Sequence, residues 1–443
     1  MNTILILGAG RSSSDLITHL LQHSEEENYK VRIGDADVQL ALRHIVHGQN
    51  GEAFTLNASN EKQLVAEVSH SDVRLVISML PATMHVTVAE QCIRFGKSLI
   101  TPSYVSDEMW LLHDDAQKAD VLLLNEMGVD PGIDHMSAMA IVHQMQAHGM
   151  QLMSFESYTG GLIAPESDDN PWGYKITWNP RNVVMAGAGA PACFVENDVV
   201  KYVPYQQLFR RLTEVTIPDH GSFDGYVNRD SVKYRAFYGL PNIPTLIRGT
   251  LRKKGFCTAW DALVQCGITD DHTQVKFSPH ETWAQFTSRF LPGGDVKSQF
   301  AHQVWASKDS IERLEWLGIF SDEPVGISEG TPAQALQRLI EKQWKLGEHD
   351  KDMIVMWHRF GAIAEGKKKS LQSYLVVYGD DPVHTAMSKT VGFPIAIAAR
   401  MYLRGEISLR GVQVPTLPEI YQPVLRELEK LGIRFTEEED ELG

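Results

Sequence analysis

The stretch from Asn125 to His135 combines a carboxylate, a rigid turn and a histidine. Asp130 precedes Pro131 and Gly132, and Asp-Pro-Gly forms a tight turn because proline fixes φ and glycine tolerates positive φ. An apolar run precedes this stretch and a helical pattern follows it. Open α/β sheets bind their ligands where a strand ends and a helix begins. We therefore predict that Asp130 faces a bound substrate or cofactor, although a structural turn with Asp134 as helix cap stays open.

A second group of residues is suited to binding phosphate. Gly8-Ala9-Gly10 follows the apolar run Ile4 to Leu7 and precedes a helical stretch from Asp15 to His23. Such glycines allow a tight turn and the close approach of a pyrophosphate, which the N–H groups of the helix then bind. Ser13 stands where the dinucleotide fingerprint has glycine or alanine. The pattern predicts a dinucleotide site, with an ordinary strand-to-helix loop as the alternative.

The end of the second predicted strand, Tyr29 to Ile33, indicates which cofactor is bound. Asp35 follows this strand at the spacing expected of the carboxylate that binds the adenosine ribose hydroxyls. A carboxylate there would repel a 2′-phosphate, and no Arg or Lys occurs at positions 36–38. We therefore predict a preference for NAD, with NADP possible, and a plain cap at the strand end is the alternative role of Asp35.

Later strands end in small hydroxyl side chains. The end of the fourth strand, Val73 to Met79, should lie beside the nicotinamide half of the cofactor, and the next strand leads to Ser103 and Tyr104 as candidate substrate contacts. The complete predicted cofactor-binding set is Gly8, Ala9, Gly10, Arg11, Ser12, Ser13, Asp35, Asn57, Ser78, Met79, Thr101, Val129, Asp130 and Pro131.

Composition limits the class of protein. At 443 residues the chain is too long for one core, and its 43% hydrophobic and 22% charged residues are typical of soluble globular proteins. The net charge of −15 argues against nucleic acid or an anionic membrane as partner. The 4 cysteines are scattered, which indicates reduced thiols and neither a disulfide framework nor a zinc site.

The N-terminus and the lengths of the apolar runs indicate where the protein is located. The N-terminus enters a strand at once and has no signal-peptide pattern, and no apolar run approaches the roughly 20 residues of a membrane span. A cytoplasmic protein is therefore expected. The acidic residues Glu437 to Glu441 are expected to form a solvated, frayed end.

Several longer motifs occur in order along the chain. They resemble the glutamate-forming saccharopine dehydrogenase family, also called saccharopine reductase, over essentially the whole length. Besides Asn125 to His135, the motifs are Gly160 to Glu166, Asn170 to Lys175, Asn228 to Ser231, Ile247 to Arg252, Thr390 to Pro394 and Pro415 to Tyr421. The first two of these are rich in glycine, proline and aromatic residues, and we expect them to form irregular loops that line a site.

The resemblance implies an α/β fold. An N-terminal Rossmann-type dinucleotide-binding domain would be joined to an α/β substrate and dimerisation domain that contains a mostly helical insertion, and the order of predicted elements agrees. We expect residues 1–125, completed by about 395–443, to form the Rossmann domain. Residues 126–255 and 346–394 should form the substrate domain, and residues 256–345 the insertion.

The resemblance also implies a reaction in which saccharopine, water and NAD(P)+ are interconverted with L-glutamate, 2-aminoadipate 6-semialdehyde and NAD(P)H. Saccharopine is a tricarboxylate, so a chain with net charge −15 needs guanidinium groups at its site. A surface ion pair, as between Arg229 and Asp230, is the alternative for the arginines. The positions that match substrate contacts of the family are Ser103, Tyr104, Asp130, Arg229, Thr250, Leu251 and Arg252.

The chemistry requires groups that move protons. The secondary amine must be neutral before hydride leaves the adjacent carbon, and the resulting imine is then hydrolysed. Asp130 is the first candidate for binding the substrate ammonium, and Tyr104 and His135 are candidates for proton transfer. No metal site is expected.

Two other functions stay open at this point. One is a related reductive condensation of the carboxynorspermidine synthase kind, and the other is an NAD-binding sensor that lacks catalysis. The Gly160 to Glu166 and Asn228 to Ser231 motifs favour the saccharopine reaction over the first, and Tyr104, Asp130 and the two arginines argue against the second. The expected partners are a small-molecule substrate and a second copy of the chain in a homodimer.

Overall fold

The computed structural model describes residues 1–45 and 50–441. The chain divides into two compact units, Met1–Gly149 with Val376–Phe435, and Met150–Leu375 with Thr436–Gly443. In chain order the strands are β1 (Asn2–Leu7), β2 (Tyr29–Asp35), β3 (Gly51–Thr55), β4 (Val73–Ser78), β5 (Ser98–Ile100), β6 (Leu122–Leu124), β7 (Gln151–Ile163), β8 (Ala192–Glu196), β9 (Val199–Val203), β10 (Leu212–Ile217), β11 (Gly221–Val227), β12 (Thr245–Lys253), β13 (Val275–Lys276), β14 (Glu329–Gly330), β15 (Asp352–Ala364), β16 (Lys367–Tyr378), β17 (Gly411–Gln413) and β18 (Thr436–Glu441).

Short 3-10 turns occur at Arg11–Ser13, Ala82–Met84 and Pro165–Ser167. The α-helices are α1 (Ser14–His23), α2 (Val38–Leu42), α3 (Glu61–Val68), α4 (His85–Phe95), α5 (Asp107–Trp110), α6 (His113–Lys118), α7 (Ile133–Ala147), α8 (Pro180–Val184), α9 (Tyr205–Leu208), α10 (Tyr234–Phe237), α11 (Phe256–Cys266), α12 (Trp283–Ser288), α13 (Val296–Val304), α14 (Lys308–Leu317), α15 (Pro332–Gln343), α16 (Ala386–Leu403) and α17 (Pro418–Lys430).

The first unit contains a parallel sheet in the order β17-β6-β5-β4-β1-β2-β3. Apart from β17 this is the strand order of the doubly wound dinucleotide-binding fold. The apolar runs of β5 and β6 are buried throughout, as expected of parallel strands that are covered on both faces. The predicted N-terminal Rossmann-type domain is therefore confirmed.

Helices from the C-terminal part of the chain pack onto this unit. The Oγ of Ser388 in α16 accepts a hydrogen bond from the backbone N–H of Asp15 in α1, at 2.9 Å. A Cβ added at Gly392 would lie 2.5 Å from the backbone nitrogen of Leu16, so α16 approaches α1 closely because this position has no side chain. These contacts and β17 make the C-terminal segment a structural part of the first unit.

The second unit contains a mixed sheet in the order β10-β11-β12-β7-β15-β16-β18, with the hairpin of β8 and β9 attached to β12. Strand β7 pairs in parallel with β12 and in antiparallel fashion with β15. It extends through Gly160 to Ile163, where a loop was predicted. A Cβ at Gly160 would lie 2.7 Å from the carbonyl oxygen of Leu251, so the glycine allows the two strands to pack closely.

The segment from residue 256 to 345 is mostly helical and has an aromatic core. The rings of Trp172, Tyr174, Phe256, Trp260 and Trp344 contact one another with centroid distances of 5.2–6.3 Å. Trp172 and Tyr174 belong to the motif Asn170 to Lys175, which was expected to be an irregular loop near a site. Their main role in the structure is packing, because both rings are fully buried.

The acidic residues at the C-terminus do not form a frayed end, and that prediction is wrong. Strand β18 pairs with β16 in antiparallel fashion, with Leu371 opposite Glu439 and Ser373 opposite Glu437. A charged edge strand covers the hydrogen-bonding edge of β16 and resists further strand addition. The acidic composition is therefore compatible with a strand at the sheet edge.

The two units differ from the predicted domain boundaries. Residues 126–149 and 376–394, which were assigned to the substrate domain, lie in the first unit, and residues 436–443 lie in the second. The reason is that α7 packs against α17 and α16 packs against α1, so both segments belong to the first unit. Within the residues that the structure describes, no helix combines the length and apolarity of a membrane span, and no cluster of His, Cys, Asp or Glu could hold a metal ion.

Candidate active site

The Gly-rich turn after β1 has the geometry of a phosphate-binding loop. Gly8 has φ +100°, and a Cβ there would lie 3.1 Å from the carbonyl oxygen of Met79. Around Gly10 the space is open, because among the described residues no heavy atom beyond its own and those of its chain neighbours lies within 4 Å of the position that a Cβ would take. The hydroxyl of Ser13 donates to the carbonyl oxygen of Gly10 at 2.6 Å and fixes the turn before α1 begins. The loop therefore leaves room for a pyrophosphate at a helix N-terminus.

Asp35 lies beside this turn. Its Oδ2 accepts a hydrogen bond from the N–H of Ala9 at 2.7 Å, and its Oδ1 accepts from the N–H of Asp37 at 2.9 Å. The carboxylate is thus fixed at the end of β2, next to the phosphate loop, where an adenosine ribose would lie. Asn57, at the end of β3, is exposed and caps the turn that follows by accepting from the N–H of Ser59 at 3.1 Å. These residues fit a nicotinamide dinucleotide.

The ends of β4 and β5 are linked by a histidine that the sequence reasoning missed. The Nδ1 of His85 lies 2.9 Å from the Oγ of Ser78, and its Nε2 lies 2.7 Å from the Oγ of Ser103 and 3.1 Å from the Oγ1 of Thr101. Burial lowers the pKa of His85 to about 4, so the imidazole is neutral near pH 7. Ser78 and Thr101 are fully buried. Their hydroxyls therefore face the protein interior, contrary to a side-chain contact with the cofactor.

Tyr104 and Asp130 form a direct hydrogen bond. The hydroxyl of Tyr104 donates to the Oδ1 of Asp130 at 2.7 Å, and both side chains are partly exposed. The peptide bond between Asp130 and Pro131 is cis, and Gly132 has φ +147°. A Cβ at Gly132 would overlap the carbonyl oxygen of Gly128 at 2.0 Å, so only glycine fits this turn. The two residues predicted to act on the substrate are thus adjacent and reachable.

Val129 and Pro131 flank Asp130 and are buried. The side chain of Asp134 accepts a hydrogen bond from the N–H of Gly132 at 2.6 Å, at the start of α7. Asp134 therefore stabilises the helix start from within its first turn, and Gly132 occupies the N-cap position.

A buried pair beneath this turn was also missed. Glu126 is fully buried, with one carboxylate oxygen 2.7 Å from the Nε2 of His135 and the other accepting from the N–H of Val105 at 2.9 Å. The backbone N–H of Glu126 donates to the carbonyl oxygen of Ser103 at 3.1 Å. Glu126 thus joins the segment that contains Tyr104 to the turn that contains Asp130. His135, a candidate for proton transfer, is fully buried in this network, which argues against direct proton transfer to a bound substrate.

In the second unit, Arg252 is a buried guanidinium surrounded by aromatic rings. It is 4% exposed, and its Cζ lies 5.2 Å from the ring centroid of Tyr174 and 5.3 Å from that of Phe256. Its NH1 donates to the carbonyl oxygen of Leu251 at 3.1 Å, whereas its Nε has no hydrogen-bond partner among the described residues. No carboxylate of residues 1–45 or 50–439 forms an ion pair with Arg252, so its charge is available to an anion.

The other predicted substrate contacts in this unit differ in accessibility. Arg229 is exposed and has φ +49°, whereas Thr250 is partly exposed. The side chain of Leu251 is fully buried in the sheet, so its predicted contact with a ligand could involve only the backbone. Asp230 accepts hydrogen bonds from the N–H of Val232 at 2.8 Å and from the thiol of Cys193 at 3.0 Å, so it stabilises its own turn.

The structure thus brings predicted residues together within each unit. In the first, Ala9 contacts Asp35, Tyr104 contacts Asp130, and the hydroxyl of Ser103 joins a network with Thr101 and Ser78. In the second, Thr250, Leu251 and Arg252 are consecutive in β12. A sequence signal for His85 was its place at the start of the helix after β4, and Glu126 lay inside the motif itself.

Comparison with known proteins identifies the family. Residues 4–124 match a model described as the saccharopine dehydrogenase NADP binding domain, and residues 128–433 match the saccharopine dehydrogenase C-terminal domain. The chain is 33% identical over 452 residues to a saccharopine dehydrogenase [NADP(+), L-glutamate-forming] of Schizosaccharomyces pombe, which covers 99% of both chains.

Two further relatives indicate the same family. A solved structure of the apo saccharopine dehydrogenase (L-Glu forming) from Saccharomyces cerevisiae superposes with a TM-score of 0.87 and 30% identity, covering 99% of this chain and 100% of that one. The mitochondrial alpha-aminoadipic semialdehyde synthase of Mus musculus is 34% identical over 446 residues, which are 98% of this chain, and the chain spans 47% of the length of that relative. On these matches the chain belongs to the saccharopine dehydrogenase family of oxidoreductases.

Proposed function

We propose that this chain is a saccharopine dehydrogenase of the L-glutamate-forming kind, which acts in lysine metabolism. It interconverts saccharopine, water and an oxidised nicotinamide cofactor with L-glutamate, 2-aminoadipate 6-semialdehyde and the reduced cofactor. The observation that supports this most directly is the buried guanidinium of Arg252, which has no ion-pair partner among the residues with described side chains. A tricarboxylate substrate supplies the anion that such a buried charge requires.

Arg252 would bind one substrate carboxylate. Its planar guanidinium can form two parallel hydrogen bonds to a carboxylate, and the aromatic rings around it exclude water and so strengthen this interaction. Arg229 and Thr250 correspond to substrate contacts of the family and would bind the substrate at its more exposed parts.

Tyr104 and Asp130 would act on the secondary amine. The bound nicotinamide accepts or donates the hydride, and the protein orients the reacting groups and moves the protons. Asp130 would hold the substrate ammonium as an acceptor, and the hydroxyl of Tyr104, which donates to Asp130 at 2.7 Å, would pass a proton to or from the amine.

A single assay series tests this function. Saccharopine is supplied with NAD and with NADP, and the absorbance of the reduced cofactor is followed. In the reductive direction, glutamate plus the semialdehyde is tested first, and then a diamine plus the same semialdehyde. We expect turnover with saccharopine and with its two products. Turnover with the diamine and semialdehyde, but with neither saccharopine nor glutamate, would instead assign a polyamine-type condensation, and cofactor binding without any turnover would assign a sensor.

We infer a preference for NAD over NADP from Asp35. The carboxylate is fixed beside the phosphate loop by the N–H groups of Ala9 and Asp37, and Ala36, Asp37 and Val38 provide no cation for a 2′-phosphate. The matched domain model and the fungal relatives are named for NADP, so the preference of this chain rests on this residue.

Substitution of Asp35 tests the preference. Asp35→Ala should lower the ratio of kcat/KM with NAD to kcat/KM with NADP by about tenfold or more, because one charge repulsion of the 2′-phosphate is lost. Asp37→Ala, which alters a neighbouring carboxylate that caps α2, is the matched control and should leave this ratio unchanged. An equal ratio in wild type and Asp35→Ala would refute the assignment.

We also infer a homodimer in a reducing, cytoplasmic compartment. The support is the general prevalence of closed dimers and the scattered cysteines, of which Cys92 and Cys257 are buried free thiols. Light scattering of the purified chain gives the oligomeric state directly, and a monomer at micromolar concentration would contradict the inference.

A further inference from the structure

His85 is not among the residues proposed to bind the substrate or to move protons, yet it contacts one that is proposed to bind the substrate. It is the first residue of α4 and is 4% exposed. Its Nε2 lies 2.7 Å from the Oγ of Ser103, which is partly exposed, and its Nδ1 lies 2.9 Å from the Oγ of Ser78, which is fully buried. The imidazole therefore connects an accessible hydroxyl to an inaccessible one.

Two buried hydroxyls, those of Ser78 and Thr101, contact the ring nitrogens of His85. Among the described residues the Ser78 hydroxyl has His85 as its only hydrogen-bond partner, and a buried hydroxyl proton without an acceptor is costly. We infer the tautomer with the imidazole proton on Nε2, in which Ser78 donates to Nδ1, because at 2.9 Å this is the shorter of the contacts that the two buried hydroxyls make with the ring. From Nε2 the proton is donated to Ser103, with the Oγ1 of Thr101 as a second acceptor at 3.1 Å.

This arrangement orients the Ser103 hydroxyl. In the inferred tautomer its oxygen accepts from His85, and the described residues then offer no acceptor for its own O–H. The O–H is thus left to donate to a ligand. Because burial holds the pKa of His85 at about 4, the neutral tautomer persists across the pH range in which such an enzyme works.

We propose that His85 is a positioning residue, which directs the Ser103 hydroxyl towards a carboxylate of saccharopine; this inference rests on the proposed function. A proton relay through His85 is a poorer explanation. The chain of hydroxyls ends at Ser78, which is fully buried, so a proton that enters at Ser103 has no exit to water. Donation to the substrate through Ser103 needs no such exit.

The test compares His85→Ala, Ser103→Ala and the double variant in the saccharopine assay. Each single substitution should raise the KM for saccharopine about 10- to 100-fold, because a hydrogen bond to a charged group is lost or misdirected. Cofactor affinity, measured by fluorescence titration, should stay within about twofold of wild type. The double variant should be no worse than Ser103→Ala, because both substitutions remove the same interaction.

Two further variants separate positioning from a general loss of structure. His85→Gln retains an N–H near the place of Nε2, so its KM for saccharopine should lie between those of wild type and His85→Ala. His143→Ala removes a half-buried histidine of the same unit, whose Nδ1 lies 2.7 Å from the hydroxyl of Tyr421, and should leave KM unchanged.

The inference is overturned if His85→Ala leaves the KM for saccharopine unchanged, or if the effects of the two single substitutions multiply in the double variant. If His85→Ala does not fold, the same two comparisons of the KM for saccharopine are made with His85→Gln and with the double variant His85→Gln, Ser103→Ala. If the wild-type chain does not turn over saccharopine, the proposed function and the role of His85 are both overturned. If wild type turns over saccharopine but the His85 variants do not behave as expected, only the role of His85 is overturned.

Discussion

The contact between Tyr104 and Asp130 makes a definite prediction for a single residue. Asp130→Asn keeps the shape of the turn and an acceptor for the Tyr104 hydroxyl, but it removes the negative charge that would hold the substrate ammonium. We expect kcat/KM for saccharopine to fall by about 10²- to 10⁴-fold, the usual contribution of a group that binds or moves the reacting proton. Steady-state kinetics over pH 6 to 10 measures this change.

The same variant should remain as stable as wild type. Asp130 is partly exposed, so its substitution should change the free energy of unfolding by no more than about 0.5 kcal/mol. Tyr104→Phe serves as the matched variant, because it removes the hydrogen bond and leaves the carboxylate in place. An Asp130→Asn enzyme with wild-type kinetics would show that this turn is structural.

His85 should also affect stability in acid. Its pKa is lowered by burial from 6.5 to about 4, so between these values the unfolded chain binds a proton that the folded chain does not. The contribution of neutral His85 to the free energy of unfolding is fully present above about pH 6.5. It is lost as the pH falls towards 4, by an amount on the order of 3 kcal/mol. Urea unfolding of wild type and His85→Gln at pH 7 and pH 4.5 measures it.

We expect wild type to lose more stability between the two pH values than His85→Gln does, because glutamine does not titrate. The buried histidines His19 and His44 have similarly lowered pKa values, but they are common to both proteins and cancel in the difference. Equal losses in the two proteins would contradict the burial of a neutral imidazole at this position.

Among the elements, α1 and α16 show how one glycine determines a packing distance. A Cβ at Gly392 would lie 2.5 Å from the Leu16 backbone nitrogen and 3.2 Å from its Cα, and backbone atoms cannot move away as a flexible side chain could. Gly392→Ala should therefore destabilise the protein by about 1–3 kcal/mol, as overpacking usually does. The urea midpoint measures this, and a gain in stability, which helix propensity alone predicts, would contradict it.

Local sequence predicted the elements whose neighbours in space are also their neighbours in sequence. The Gly8 to Ser13 turn, α1 and β2 were predicted because apolar runs, glycines and one carboxylate recur at fixed spacing. The role of Asp134 near the start of α7 was likewise close to what the structure shows. Motif resemblance, not periodicity, supplied the assignments of Arg229 and Arg252.

The remaining elements depend on partners that are distant in the sequence. Gly160 was assigned to a loop. It is a glycine because the strand that contains Leu251 lies close to it, and this neighbour is distant in the sequence. Trp172 was expected near a ligand, but it packs against Trp260 and Trp344. The acidic β18 has low strand propensity, and pairing with β16 overrides it. His85 was missed because its partners Ser78 and Ser103 come together only through the sheet.

At the scale of the whole molecule, β18 predicts how the protein behaves without its last residues. Removal of residues 436–443 would leave unpaired the backbone donors and acceptors of β16 that face β18 between Lys369 and Tyr374. An uncovered edge strand is a template for pairing with another chain. We expect the shortened protein to associate further at micromolar concentration, and size-exclusion chromatography with light scattering measures this.

A matched variant distinguishes the strand from its charge. Glu437→Ser with Glu439→Ser keeps the backbone pairing of β18 and removes part of its negative charge, so it should behave as wild type at moderate concentration. A shortened protein with an unchanged elution profile would show that β16 resists association by itself.

The position of β17 in the first sheet bears on how the chain is made. This strand pairs with β6 but leaves the ribosome about 290 residues later, which corresponds to roughly 15–60 s of synthesis at the usual rates. Until then Leu122 to Leu124 form an apolar sheet edge without its neighbour, and α16 has not yet covered α1. The cofactor-binding unit therefore begins to form first but is completed only after most of the second unit has been synthesised. A nascent chain halted before residue 411 should therefore bind chaperones that recognise exposed strands.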